Sequence, residues 1–204
     1  MAKKICLEKG TGFIMAPALI KKKVFVILLL LVVSVISSGC FAVKAGTSLD
    51  LGHSPGLDCV PGEKGAVMMF GDTFVRHVGN EEVTITGISL VNPEEITLAE
   101  AVLVELGDKE SLVGFGEWPP TDEIFPLPAE WENRVEAAGT VLEPGAELNL
   151  IVALQSNADD TASAQSLAIT YENAAGKAFE QKTLVSYFIT SRTCEEIIDE
   201  NHDY

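Results

Sequence analysis

Short apolar runs of strand length, each ended by turn-forming residues, constrain the fold of this chain more than any other feature. Residues 83–86 alternate strictly between apolar and polar, as a strand with one buried face does. Residues 148–154 are apolar at every even position and mixed at the odd ones, which predicts a central strand. Because about seven to nine such runs follow one another between residues 65 and 193 without intervening helical patterns, we expect an all-β, antiparallel β-sandwich.

Turn residues predict where individual strands end. Residues 67–70 are expected to end in a turn at Gly71-Asp72, and a separate strand is expected over residues 73–78. The alternation of the next strand slips by one residue at Gly87, which predicts a β-bulge. Residues 143–146, Glu-Pro-Gly-Ala, predict a tight turn.

The second half of the chain predicts two further strands. Residues 166–171 are apolar at odd positions only, so one face of that strand is expected to meet solvent. Residues 182–189 predict one continuous closing strand.

Two segments allow more than one interpretation. Residues 92–95, Asn-Pro-Glu-Glu, have the cap, the proline and the early acids of a helix start. Residues 101–106 contain Val102-Leu103-Val104, which suits a strand, and we interpret the segment as a strand between strands. Residues 129–138 predict a short helix closed by Gly139.

The N-terminal region has the order of a secretory signal. Three lysines at positions 21–23 precede an apolar run of 13 residues, 24–36, and the small residues 37–39 follow it. A membrane-spanning helix needs about 20 apolar residues, so this run is short for a span. Met15 is a plausible alternative start, and Cys6 falls in the leader with either start.

Residues 36–40, Ile-Ser-Ser-Gly-Cys, resemble the lipobox of bacterial lipoprotein precursors, although Ser37 replaces the usual aliphatic residue. The resemblance implies that residues 1–39 are removed and that the Cys40 sulfur carries a diacylglycerol. It implies a membrane-anchored protein on the extracytoplasmic face. The alternative is an uncleaved anchor, because residues 24–43 are free of charge over 20 residues.

Charge limits the partners of the processed chain. The leader holds six lysines and one glutamate of the chain's 14 basic and 30 acidic residues, so residues 40–204 keep 8 basic and 29 acidic residues. A net charge of about −21 repels nucleic acid and anionic membrane surfaces. The acids are scattered, which favours solvation of a surface protein over binding of a cation or a basic partner.

Four cysteines reduce to one pair after processing. With Cys6 removed and Cys40 acylated, Cys59 and Cys194 remain, and an even pair in an exported protein predicts a disulfide. Residues 40–64 are rich in Gly, Ser and Pro and predict a flexible tether. Residues 194–204 are mostly acidic and predict a loose tail.

Catalytic and metal-binding patterns are not found in the sequence. His53, His77 and His202 are not spaced as a ligand set, and neither a Gly-x-Ser-x-Gly nor a His-Glu-x-x-His motif occurs. We therefore expect no catalytic residue, no metal and no cofactor. Adjacent acids at 81–82, 94–95 and 159–160 favour solvated turns over calcium ligands. A hydrolase with dispersed carboxylates is the weakest alternative, which two convergent carboxylates in a cleft would favour.

Residues 116–131 hold four of the nine prolines and both tryptophans. Proline stiffens a loop, and tryptophan offers a large face for a sugar ring or a partner protein. Trp118 and Trp131 are therefore candidate ligand-binding residues. Their alternative role is to plug the open end of the sandwich.

Residues 80–90 and 138–150 resemble segments of immunoglobulin-like domains in bacterial surface lipoproteins. The resemblance implies a non-enzymatic cell-envelope lipoprotein whose immunoglobulin-like module binds or supports a surface protein or glycan. A surface or periplasmic binding protein for a sugar or peptide, using the two tryptophans, is the alternative.

Overall fold

The structure of the protein is a computed structural model, and it describes residues 43–52, 54–106, 113–121 and 127–200. The predicted leader, the Met15 start, the lipidation residue Cys40, His53 and His202 lie outside these ranges. Among the described residues, no helix combines the length and apolar character needed to cross a membrane.

Within these ranges the chain is almost entirely β-structure, with one 3₁₀ helix at Ala129–Asn133 and one α-helix, α1, at Cys194–Glu200. The strands are β1 Lys44–Ala45, β2 Leu49–Asp50, β3 Gly56–Pro61, β4 Val67–His77, β5 Val83–Val91, β6 Ile96–Glu105, β7 Gly114–Glu117, β8 Val135–Glu136, β9 Val141–Leu142, β10 Glu147–Ser156, β11 Thr161–Ala164, β12 Ser166–Asn173, β13 Ala178–Lys182 and β14 Val185–Thr190.

The strands form three sheets around one main core. One sheet has the order β1-β13-β12-β5-β9, a second has the order β2-β4-β10-β6-β8 with β7 beside β4, and a third has the order β11-β14-β3. Most neighbours are antiparallel, whereas β1–β13 and β3–β14 are parallel. Ile85 and Ile169 of the first sheet, Phe70 and Leu150 of the second, and Tyr187 of the third are fully buried in the same cluster. The prediction of an all-β, mainly antiparallel β-sandwich is confirmed.

Strand β10 is buried on both faces, which explains its nearly continuous apolar run. It pairs with β4 on one side and β6 on the other. Leu150, Val152 and Leu154 enter the main core, and Ile151 enters a second cluster on the opposite face. The buried amide of Asn149 is satisfied, because its Oδ1 accepts the backbone N–H of Val113 at 3.0 Å. The predicted central strand is confirmed.

Three further local predictions are confirmed. The β5–β12 register shifts where Gly87 faces Thr170 and Ile85 faces Tyr171, which is the expected bulge. Strand β6 covers the segment that allowed either helix or strand. The turn at residues 143–146 closes with a hydrogen bond of 3.0 Å from the Ala146 N–H to the Glu143 carbonyl.

The predicted turn at Gly71-Asp72 is wrong, because β4 runs unbroken from Val67 to His77. Gly71 serves a close approach between strands instead of a turn. A Cβ added there would lie 2.8 Å from the carbonyl oxygen of Gly114 on β7, so only glycine lets the two backbones pair.

The domain extends beyond the predicted limits of 65 and 193. Strands β1, β2 and β3 occupy much of the expected tether, and Leu49 and Val60 are buried in the core. The first seven residues of the expected tail form α1, whose Ile197 is only 2% exposed. Both segments are ordered because each contributes an apolar side chain to the interior, which composition alone did not reveal.

Three other expectations also differ from the structure. Ser166 and Ala168 of β12 are buried, so this strand is covered on both faces. The predicted closing strand divides into β13 and β14, because the Thr183 hydroxyl between them accepts the Leu167 N–H at 3.0 Å. The segment 129–138 forms only the short 3₁₀ helix and the edge strand β8.

Candidate functional site

The predicted disulfide between Cys59 and Cys194 is confirmed. The two Cα atoms lie 5.6 Å apart, within the usual range for a bridged pair. The bond joins β3 to the start of α1 across a separation of 135 residues. It fastens the C-terminal end of the described chain to one of its earliest strands.

The two tryptophans form one pair. Their ring centroids are 5.9 Å apart and the planes meet at 77°, which is an edge-to-face contact. Trp131 lies in the 3₁₀ helix, is 6% exposed and packs in the second core cluster with Met69, Val102 and Ile151. Trp118 follows β7 and is only partly buried against that cluster. The pair therefore has one interior member and one member at the surface.

Each tryptophan has a charged partner at the surface. The indole N–H of Trp118 donates to Glu100 Oε2 at 3.2 Å. The guanidinium of Arg134 lies over the Trp131 ring, 4.6 Å from its centroid, and donates to the Trp131 carbonyl at 3.1 Å. These contacts are a hydrogen bond and a cation–π interaction, and both fix the charged group in place.

Glu100 and Arg134 also line a surface groove of about 720 Å³, within the usual range for ligand sites of about 300–1,000 Å³. We call it the acidic groove. Its lining mixes apolar and polar surface and includes Ile88 of β5 and residues 98–102 of β6. Its remaining charged residues are Glu132 and Glu136.

The structure thus places the two predicted ligand-binding residues in contact with each other and shows that they differ in burial. Trp131 is buried, but in the second cluster, so it covers the face of β10 opposite the main core and does not plug the open end of the sandwich. Trp118 contacts Glu100, a residue of the acidic groove, through its polar edge. Ligand binding by either tryptophan stays a prediction.

A pair of aspartates that the sequence analysis missed lies elsewhere. Asp58 of β3 and Asp72 of β4 converge, and each has one carboxylate oxygen that is buried without a hydrogen-bond partner. Burial, followed by the negative charge of Asp72, raises the pKa of Asp58 to about 7. Burial also raises the pKa of Asp72. Two interacting buried carboxylates do not readily ionise together, so we expect one of them to hold a proton in the folded chain.

Tyr187 of β14 belongs to the same cluster. Its hydroxyl lies 3.3 Å from Thr73 Oγ1, and the ring is fully buried edge-on to Phe70. Burial is the main cause that raises the pKa of Tyr187 to about 12, and the charges of both aspartates add to it. The phenol is therefore a neutral hydrogen-bonding group at ordinary pH.

One signal in the sequence could have revealed this cluster. Asp72 stands inside an apolar run, where a strand interior normally excludes an unpaired carboxylate. We assigned it to a turn, and we assigned Asp58 to the tether. The convergence that would favour a hydrolase exists, but neither aspartate lines the acidic groove.

The other candidates from the sequence are dispersed. The adjacent acids at 81–82, 94–95 and 159–160 are all exposed, as expected for solvated turns. His77 is buried at 1% exposure near the end of β4. In the part of the chain that the structure describes, no three His, Cys, Asp or Glu side chains are grouped as metal ligands.

The Asp58–Asp72 pair predicts stability that falls as pH rises. The folded pKa of Asp58 is about 7 and its ordinary value is 3.8, so between these values the folded chain holds a proton that the unfolded chain has released. This contribution is fully present below about pH 4 and is lost through pH 7. Because the site is partly solvated, we expect the free energy of unfolding to fall by about 1–2 kcal/mol over this pH range.

Chemical denaturation at a series of pH values measures this slope. Asp58→Asn cannot ionise and should flatten the profile between pH 4 and 7 relative to the wild-type chain. Glu81→Gln, at an exposed turn, should leave the profile unchanged. Identical profiles for the wild-type chain and Asp58→Asn would show that the two aspartates do not share a proton.

Comparisons with known proteins find only distant structural likeness. Neither protein-family profiles nor curated protein sequences match the chain. Among solved structures, the Vibrio cholerae VesB protease is similar over 71% of this chain and 32% of its own, with 8% identity and a TM-score of 0.36. The PapD-like domain 7 of human CEP192 is similar over 76% of this chain and 96% of its own, with 7% identity and the same TM-score. The chain spans about a third of VesB, and no functional argument follows from likenesses at this level.

Proposed function

We propose that this chain is a non-enzymatic cell-envelope lipoprotein, held by a lipid at Cys40, whose β-sandwich is a binding or accessory module on the extracytoplasmic face. The Cys59–Cys194 disulfide is the observation that carries the proposal. Such bonds persist in oxidising compartments outside the cytoplasm and are rare within it.

Two features of the sequence support the same location. The order of lysines, apolar run, small residues and Cys40 is that of a lipoprotein leader. The charge of about −21 on residues 40–204 keeps an exposed domain soluble and away from anionic lipid headgroups. The acidic groove, with its mixed apolar and charged lining, supplies a surface through which such a module can bind a partner.

Replacing Cys40 with alanine should release the protein from the membrane fraction. The lipid is the proposed anchor, so the wild-type protein should fractionate with membranes, and its intact mass should begin at an acylated Cys40. Mass spectrometry and fractionation of both forms check this expectation. A wild-type mass that still includes residues 15–39 would favour the uncleaved anchor instead.

Cross-linking on intact cells tests the binding role. We expect a surface protein or glycan to be captured with the wild-type protein and recovered less with variants of the acidic groove. Recovery of the same partner from the Cys40→Ala protein in soluble form would separate binding from anchoring. If the wild-type protein captures no more material than an unrelated disulfide-bonded control domain, the binding role is contradicted.

A sugar- or peptide-binding protein is the second candidate, and the Trp118 side chain favours it. This indole is partly exposed and donates to Glu100 beside a cavity of ligand size. Trp118→Ala should then abolish retention on an immobilised glycan or peptide panel, whereas Trp118→Phe should keep much of it. Equal retention of all three proteins would remove Trp118 from ligand binding.

A further inference from the structure

We propose that the acidic groove docks an extended, basic peptide segment of a partner protein, whose lysine or arginine residues alternate with apolar ones. This inference rests on the proposed binding role and specifies the chemistry of the partner. The groove is defined by Ile88, residues 98–102, and the charged residues Glu132, Arg134 and Glu136.

The charge of the groove selects a cationic occupant. Glu100, Glu132 and Glu136 are exposed, and Arg134 is the basic residue among the described residues that line the groove. None of the ion pairs in the described part of the chain involves these glutamates. Glu100 accepts one hydrogen bond from the Trp118 indole, so a bound lysine or arginine would gain carboxylate partners without breaking a described ion pair.

Arg134 offsets only one of the three negative charges, and its guanidinium is held away from the glutamates by other contacts. It stacks on the Trp131 ring at 4.6 Å and donates to the Trp131 carbonyl at 3.1 Å. These two contacts hold the positive charge against the tryptophan rather than against a glutamate. The described lining therefore keeps an excess of negative charge.

The apolar part of the lining suits an extended peptide better than a small cation. Ile88 and Leu98 are partly exposed in the groove, and Val135 is 48% exposed. Val135 belongs to β8, the terminal strand of the second sheet among the described residues. A terminal strand can pair with an added extended chain, whose alternate side chains then point to the same side.

The overall charge disfavours two other occupants. A second copy of the processed chain carries the same net charge of about −21, so its approach to the three glutamates is opposed. The acidic C-terminal residues of the same chain are opposed for the same reason. A basic segment of another protein satisfies both the charge and the apolar lining.

Fluorescence anisotropy with the full chain in detergent tests the proposal. The probe is a short labelled peptide of alternating lysine and valine, and the comparison peptides replace lysine by glutamate or valine by serine. We expect binding of the lysine–valine peptide alone. Glu132→Gln combined with Glu136→Gln should weaken it by about tenfold, since two charge pairs are lost at the rim.

A matched control variant distinguishes the effect of the groove glutamates on peptide binding from the effect of the overall charge of the domain. Glu81→Gln combined with Glu143→Gln removes the same charge at two exposed turns that do not line the groove. We expect little change in affinity from this control, and thermal melting should show that both double variants are folded. An equal loss in both double variants would overturn the proposal in favour of diffuse electrostatic attraction.

Three further outcomes would contradict the proposal. If the lysine–serine peptide binds as tightly as the lysine–valine peptide, apolar contacts in the groove do not contribute to binding, and the proposed alternation of basic and apolar residues is wrong. Displacement of the peptide by spermidine at similar concentration would identify a small-cation site instead. If the lysine–valine peptide fails to bind while intact-cell cross-linking still captures a partner, this inference fails and the proposed function stands.

Discussion

Cys59→Ser combined with Cys194→Ser should lower the free energy of unfolding by up to about 5 kcal/mol. The expected size follows from the separation of 135 residues, because a bond across so long a loop removes much conformational entropy from the unfolded chain. Domains of this size are stable by about 5–15 kcal/mol, so the loss is a large share of the total. Equilibrium denaturation in urea measures it.

Reductant provides the control for this prediction. Reducing the wild-type protein should shift its unfolding midpoint towards that of the double variant, whereas the double variant should not respond. The serine hydroxyls add polarity near Ile197, so a Cys59→Ala, Cys194→Ala protein checks that the loss comes from the missing bond. Wild-type midpoints that are identical with and without reductant would contradict the prediction.

Trp131→Ala should cost about 3–5 kcal/mol of folding free energy, the usual range for a buried large aromatic side chain. The side chain is 6% exposed and packs against Met69, Val102 and Ile151, so its removal leaves a cavity beneath β6 and β10. Trp118→Ala should cost less, because that ring is only partly buried. Urea denaturation of both variants measures the difference.

Trp131→Phe serves as the intermediate case, since it keeps a ring in the cluster and loses only part of the buried volume. We expect the order of stability to be Trp118→Ala, then Trp131→Phe, then Trp131→Ala as the least stable. A Trp131→Ala protein as stable as the wild-type chain would contradict the interior position of this residue. It would also favour ligand binding as the role of the tryptophan pair.

Strands whose pattern reflects their own burial were predictable from sequence. Residues 148–154 are apolar at every position except Asn149, because β10 is covered on both faces. The slip at Gly87 predicted a bulge because the period of two is so regular that one extra residue is visible.

Features that depend on distant neighbours were not predictable. Gly71 resembles a turn residue until β7 is known to pass within contact distance of its Cα. Residues 49–61 resemble a tether because each apolar side chain there stands among Gly, Ser and Pro. Residues 49–50 and 56–61 become strands because later segments of the chain, β4 and β14, pair with them.

The candidate sites also differ in whether local sequence or distant residues define them. The tryptophans were found because their residue type and the surrounding prolines are unusual within a few positions of sequence. Asp58 and Asp72 lie on strands of different sheets, and only the fold shows that the two carboxyl groups are buried and interact. The acidic groove combines residues from both main sheets, so no continuous segment of sequence contains it.

The parallel pairing of β3 with β14 has a consequence for the order in which the domain assembles. A chain that leaves a ribosome or crosses a membrane from its N-terminus presents Gly56–Pro61 long before Val185–Thr190. Strand β3 therefore waits without its partner until nearly the whole domain has emerged, and such distant pairings are formed slowly. Premature termination before β14 would remove the neighbour of β3 and the partner of Cys59 together, so truncated products of this gene would lack both the third sheet and its covalent closure.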